Sequence, residues 1–229
     1  MAIPQENLGP EMNREWSAVL QRVSISGAAL LFALPLSAYD RALSPETVRE
    51  AYFLGQQSNQ AGKFLEPYTQ HPPMPKTGSY ISSISILTPY AQAVFRSWKG
   101  GMRYNAQQAD EDYRRTSDAI EIIVTIDFTS TYSAIQQVKP DASHSGGDGF
   151  LLRPKDFWRD FSFKVYQQNA AAPHETVQGE PVYDASGFKG AVVKIEFASA
   201  SLADKDTSIE VTSPDGQKIC ASFDLSKLR

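Results

Sequence analysis

The stretch Ala119–Tyr132, AIEIIVTIDFTSTY, constrains the fold of this chain more than any other. Ile120, Ile122, Val124, Ile126 and Phe128 fall on one face of an extended chain. Glu121, Thr125, Asp127 and Thr129 fall on the other, with Ile123 as the one apolar intruder. Alternation this strict, carried mainly by β-branched residues, predicts a strand with one face buried against a second layer. At about 3.3 Å per residue such a strand crosses a whole sheet. The bland reading of its outward face is a solvated sheet surface.

Later segments repeat the design. Phe157–Gln167 reads as a strand with Phe161, Phe163 and Val165 inward, and Pro181–Tyr183 as a short edge strand, where proline is tolerated. Gly190–Phe197 places Ala191, Val193, Ile195 and Phe197 on one face. The chain closes on a hairpin, with Ile209, Val211, Ile219, Ala221, Phe223 and Leu225 inward. Its turn at Ser213-Pro214-Asp215-Gly216 puts glycine at the left-handed position. Tyr80–Leu87 is the first clean strand.

The front half carries short helices. One runs from Ser44 to about Ser58, capped by Ser44, with Pro45 first and Val48, Ala51, Tyr52 and Gly55 along one side. A second spans Tyr90–Trp98 and stops at Gly100-Gly101, and a third, Asn105–Arg115, is capped by Asn105. Gln56–Gly62 is polar and is left unassigned, and His71–Gly78 is an extended proline-rich loop. The aggregate is a mainly β chain, a β-sandwich of possibly immunoglobulin-like outline with two or three short helices in its N-terminal half. The paired cysteines of immunoglobulin domains are absent, since Cys220 stands alone.

Residues 1–38 are expected to be an N-terminal extension and a secretory signal, leaving 39–229 as a single domain. Arg14 and Arg22 supply the positive region, Ala28–Leu36 a short apolar run, and Leu36-Ser37-Ala38 a small-residue cleavage site. The run is short for a membrane span, so none is expected after cleavage, and the location is periplasmic or secreted. Residues 39–229 keep twenty basic against twenty-three acidic side chains, a net charge of −3. That mixture exerts no electrostatic pull towards nucleic acid.

Candidate chemistry is sparse. The loop Val138–Gly149 holds Asp141, His144 and Asp148, but the acid that a calcium-binding helix–loop–helix needs at its twelfth position is Leu152. His71, His144 and His174 lie in separate loops, and His174-Glu175 lacks the second histidine of a zinc-protease helix. Glu121 and Asp127 share a strand face but stand roughly 20 Å apart, beyond the reach of a glycosidase pair, although Glu196 on a neighbouring strand could approach one of them. Cys220 points away from Ile219 and Ala221. Phe64, Tyr68, Tyr90, Phe95, Trp98 and Tyr104 crowd the front half, and Phe95 with Trp98 is expected to plug the end of the sandwich. No catalytic residue, cofactor or metal ligand is assigned.

The resulting expectation is an exported, non-catalytic sandwich that binds another protein or an envelope component. Two alternatives stand beside it: a hydrolase whose acids and histidines meet only in the fold, and a carrier of apolar ligands built on the front-half aromatics. An exposed patch, a polar cleft or a deep apolar pocket separates the three.

Overall fold

A computed structural model of the chain describes residues 42–229 apart from 117, 131, 133–134, 139–148, 169, 175, 186, 199–200 and 203–204, with backbone only at 135–138 and 149–152. The expected leader and the candidates Asp141, His144 and Asp148 lie outside the described residues. No described helix is long and apolar enough to cross a membrane.

Four helices precede the central strand. Helix α1, Pro45–Gln56, starts where the Ser44 hydroxyl accepts from the Thr47 amide at 3.2 Å. It buries Val48, Ala51 and Gly55. Helix α2, Ser58–Leu65, occupies most of the polar stretch that local patterning leaves unassigned. Its helicity rests on Ala61 and Leu65, four apart, which enter the core while the polar residues face out. Helix α3, Pro89–Gly100, is capped by Thr88 and ends at Gly101, whose φ of +53° turns the chain away. Helix α4, Ala106–Thr116, begins where the Asn105 side chain accepts from the Gln108 amide at 2.8 Å.

Helices α1 and α3 cross at Gly55, where an added Cβ would stand 2.5 Å from the Ser97 Cβ and the Val94 carbonyl oxygen. The close approach lets Ser97 Oγ donate to the Tyr52 carbonyl at 2.8 Å, while Gln56 Nε2 donates to Ser97 Oγ at 2.9 Å.

Most of the described strands form two antiparallel sheets in a sandwich-like arrangement. The first contains β1 (Thr69–Gln70), β2 (Ser79–Leu87), β3 (Ala119–Phe128), β9 (Gly187–Ala198) and β8 (Thr176–Asp184), in that spatial order. The second runs β11 (Lys218–Asp224), β10 (Asp206–Thr212), β6 (Ser162–Gln167) and β7 (Ala170–Ala171). A separate hairpin pairs β4 (Ile135–Val138) with β5 (Gly149–Leu152).

Register explains the core. Ile84, Val124 and Val193 lie in one row across the first sheet, and Ile86, Ile122 and Ile195 in the next. In the second sheet Val165, Ile209 and Ala221 are aligned in the same way. All nine are buried in one continuous cluster with Phe161, Phe197, Val211 and Phe223. The β10–β11 hairpin turns as its sequence requires, with Gly216 at φ +87° and its amide donating to the Ser213 carbonyl at 2.9 Å.

Several expectations need correction. The central strand ends at Phe128, short of Tyr132. Phe157–Asp160 is a 3-10 turn that buries Phe157 against Phe128, Phe161 and Phe188, and β6 begins only at Ser162. The edge strand near Pro181 is nine residues long and borders the first sheet. Short helical turns also occur late in the chain, at Phe157–Asp160 and Leu225–Lys227.

Candidate functional groove on the outer sheet face

The outer face of the first sheet is solvated only in part: Glu121 and Ile123 on β3 are buried, while Gln178, Glu180 and Lys194 on β8 and β9 are exposed. Helices α2 and α3 stand beside it and leave a recess with a volume of about 720 Å³. Its floor follows directly from strand register. Thr69, Ser85, Ile123 and Lys194 are successive cross-strand neighbours, and Ser83, Thr125 and Val192 form the adjacent row. Leu65 of α2 and Phe95 with Trp98 of α3 complete an apolar lining. Ile123, the apolar intruder on a polar strand face, is therefore a floor residue of this groove.

The floor hydroxyls largely satisfy one another. The Thr69 and Ser85 hydroxyls are bonded at 2.9 Å, and Ser83 Oγ donates to Thr125 Oγ1 at 3.0 Å. With these groups occupied, the surface offered to an incoming molecule is mainly aliphatic and aromatic. Phe95 and Trp98 stand edge to face at 6.5 Å, partly buried against the core and lining the groove. The Lys99 ammonium lies 4.8 Å from the Trp98 ring centre and 5.7 Å from that of Phe95.

A charged network borders the recess. Glu121, expected on a solvated face, is 6% exposed and held between two cations. Lys194 Nζ lies 3.3 Å from one carboxylate oxygen and Arg96 Nη2 lies 3.6 Å from the other. Arg96 also donates to Gln92 Oε1 at 3.3 Å and to Thr116 Oγ1 at 3.2 Å. Gln92 Nε2 in turn donates to the carbonyls of Leu87 and Ala119, at the ends of β2 and β3. This network fastens α3 to the sheet, and a carboxylate buried in this way is neutralised by its partners.

Glu196 is the direct cross-strand neighbour of Glu121, as the sequence allowed, and accepts from Thr176 Oγ1 at 3.0 Å. Asp127 is six residue pairs further along β3, opposite Gly190, and takes no part. The described histidines are not brought together. His71 lies at the groove, where the Ser82 carbonyl accepts from Nδ1 at 3.0 Å. His174 edges a separate recess of about 360 Å³ between β6 and β9, its ring 6.3 Å from that of Phe197. Cys220 is exposed, opposite Glu210 on β10. Among the described residues no group of three or more His, Cys, Asp or Glu is placed to hold a metal.

Lys63, Lys99, Leu65 and Val192 line the groove without having been singled out in the sequence. The available signal was the conflict at Ile123, together with Phe95 and Trp98 on the same helical stripe as the buried Ala91 and Val94. No protein-family model matches the chain, and no curated protein is found to resemble it.

Proposed function

We propose that this chain is a non-catalytic binding domain whose ligand, an apolar or amphiphilic small molecule, occupies the groove over β2, β3 and β9. One observation carries the reading: a recess of about 720 Å³ whose walls and floor include Leu65, Phe95, Trp98, Ile123 and Val192. Pockets for small ligands are concave, predominantly apolar and several hundred Å³ in volume, with a few polar groups at their edges. Of the three readings open to the sequence, this favours the carrier over a protein-docking platform. The hydrolase reading lacks a comparable support, because Glu121 is committed to Arg96 and Lys194. The leader-like pattern from Arg14 to Ala38 supports a location outside the cytoplasm as part of the same proposal.

The neutral fluorophore N-phenyl-1-naphthylamine tests the binding reading. We expect saturable binding with one site per chain, lost in Val192→Trp, which fills the groove from its floor, while the melting temperature of that variant stays within a few degrees of the parent. Absence of binding, or binding that Val192→Trp leaves untouched, removes the groove as the ligand site.

A further inference from the structure

The groove lining is charged as well as apolar. We infer that its ligand is a single-chain amphiphile with an anionic head, taken up as a monomer, the head held by Lys63 and Lys99. The inference rests on the groove reading above and adds the chemical class of the occupant.

The argument begins with charge. The chain as a whole carries −4, yet the groove lining holds three lysines against one glutamate, Glu66. Of those lysines, Lys194 is engaged by Glu121 at 3.3 Å. Lys63 and Lys99 form no ion pair among the described residues, and both are exposed. They are contributed by different helices, each from the last turn. A lining with an excess of positive charge on a net negative protein is electrostatic complementarity towards an anion.

Geometry supplies the rest. The Lys99 ammonium lies over Trp98 at 4.8 Å and Phe95 at 5.7 Å, so cation and aromatic wall are in contact. An aliphatic chain laid against those rings and against Ile123 and Val192 therefore brings its head to the ammonium. Lysine suits this place, since its stem covers apolar surface while its head stays in water. The recess is concave and sits between helix and sheet, which suits extraction of one chain and not adhesion to a flat bilayer.

Displacement of N-phenyl-1-naphthylamine from the full chain by dodecanoate and by dodecanol tests the inference. Dodecanoate should displace the probe at a concentration at least tenfold lower, and Lys63→Gln with Lys99→Gln should abolish that preference while leaving dodecanol unchanged. Both alkyl compounds acting alike, or a preference that survives the double substitution, overturns the anionic head and leaves the groove reading standing. A probe that never binds overturns both. Co-sedimentation with phosphatidylglycerol vesicles, combined with failure of dodecanoate to displace the probe, would assign the two lysines to a membrane surface and overturn the monomer.

Discussion

Arg229 and Glu50, 179 positions apart in the chain, form a two-armed ion pair, with Nη1 to Oε1 at 2.8 Å and Nη2 to Oε2 at 3.1 Å. The guanidinium also lies 4.2 Å from the centre of the Tyr90 ring, and the Tyr90 hydroxyl donates to Glu50 Oε1 at 3.2 Å. The Arg229 carbonyl accepts from Tyr68 Oη at 3.0 Å and from Thr88 Oγ1. One residue at the end of the chain thus joins α1, α3 and the start of the first sheet.

The Arg229 hydrogen bonds hold the Glu50 carboxyl below its ordinary 4.5. A carboxyl depressed in the folded state contributes stability above its unfolded value, and that contribution disappears as pH falls through the lowered value. Both side chains are about half exposed, so the pair is worth at most ~1 kcal/mol. We expect Glu50→Gln to lower stability by that order at neutral pH, with the gap to the parent closing as pH drops below 4.5. Urea denaturation across this range measures it, and a gap independent of pH would rule the pair out as its source.

Burial pushes the Tyr90 hydroxyl up to about 12, and burial likewise raises Tyr68, Tyr104 and Tyr113. These phenols stay protonated in the folded chain while the unfolded chain ionises from about 10, so stability falls as pH rises above 10. Phenolate absorbance should therefore show fewer tyrosines titrating between about pH 10 and 11 in the native protein than in urea. Coincident curves would contradict the burial.

Ile122 and Thr125 lie on opposite faces of β3, the first fully buried between the sheets and the second in the groove floor. Ile122→Ala should cost about 2–5 kcal/mol through the cavity it leaves, and Thr125→Ala under ~1 kcal/mol. Equal losses in chemical denaturation would mean that the faces are exchanged.

Two glycines make a matched pair in adjacent helices. Gly55→Ala drives a methyl to within 2.5 Å of Ser97 and the Val94 carbonyl and should destabilise by about 1–3 kcal/mol. At Gly62 nothing lies within 4 Å of an added Cβ, so Gly62→Ala should stabilise by about 0.5–1 kcal/mol through helix propensity. Melting temperatures moving in the same direction for both would count against the α1–α3 crossing.

Arg96→Met strips one of two cations from the buried Glu121 and should cost about 2 kcal/mol, given that Arg96 retains a quarter of its exposure. In a Glu121→Gln background the same substitution should cost markedly less, because no buried charge is left unpaired. Additive losses in this double-mutant cycle would show that the network does not couple the two residues.

Local codes were legible in the residues themselves. Period-two alternation located β2, β3, β9 and the β10–β11 hairpin, and Ser44, Asn105 and Gly216 marked two helix starts and a turn. These signals survive because they depend on neighbours two to four positions away. Helix α2 was hidden, since its stability comes from Ala61 and Leu65 meeting a distant core. The fate of the outer sheet face was hidden for the same reason. Alternation states which side chains of β3 share a face, but what covers that face is supplied by α2 and α3, folded back from earlier in the chain. Long-range packing therefore turned Glu121 from a surface carboxylate into a buried ion-pair member, and Ile123 from an exception into the floor of a groove.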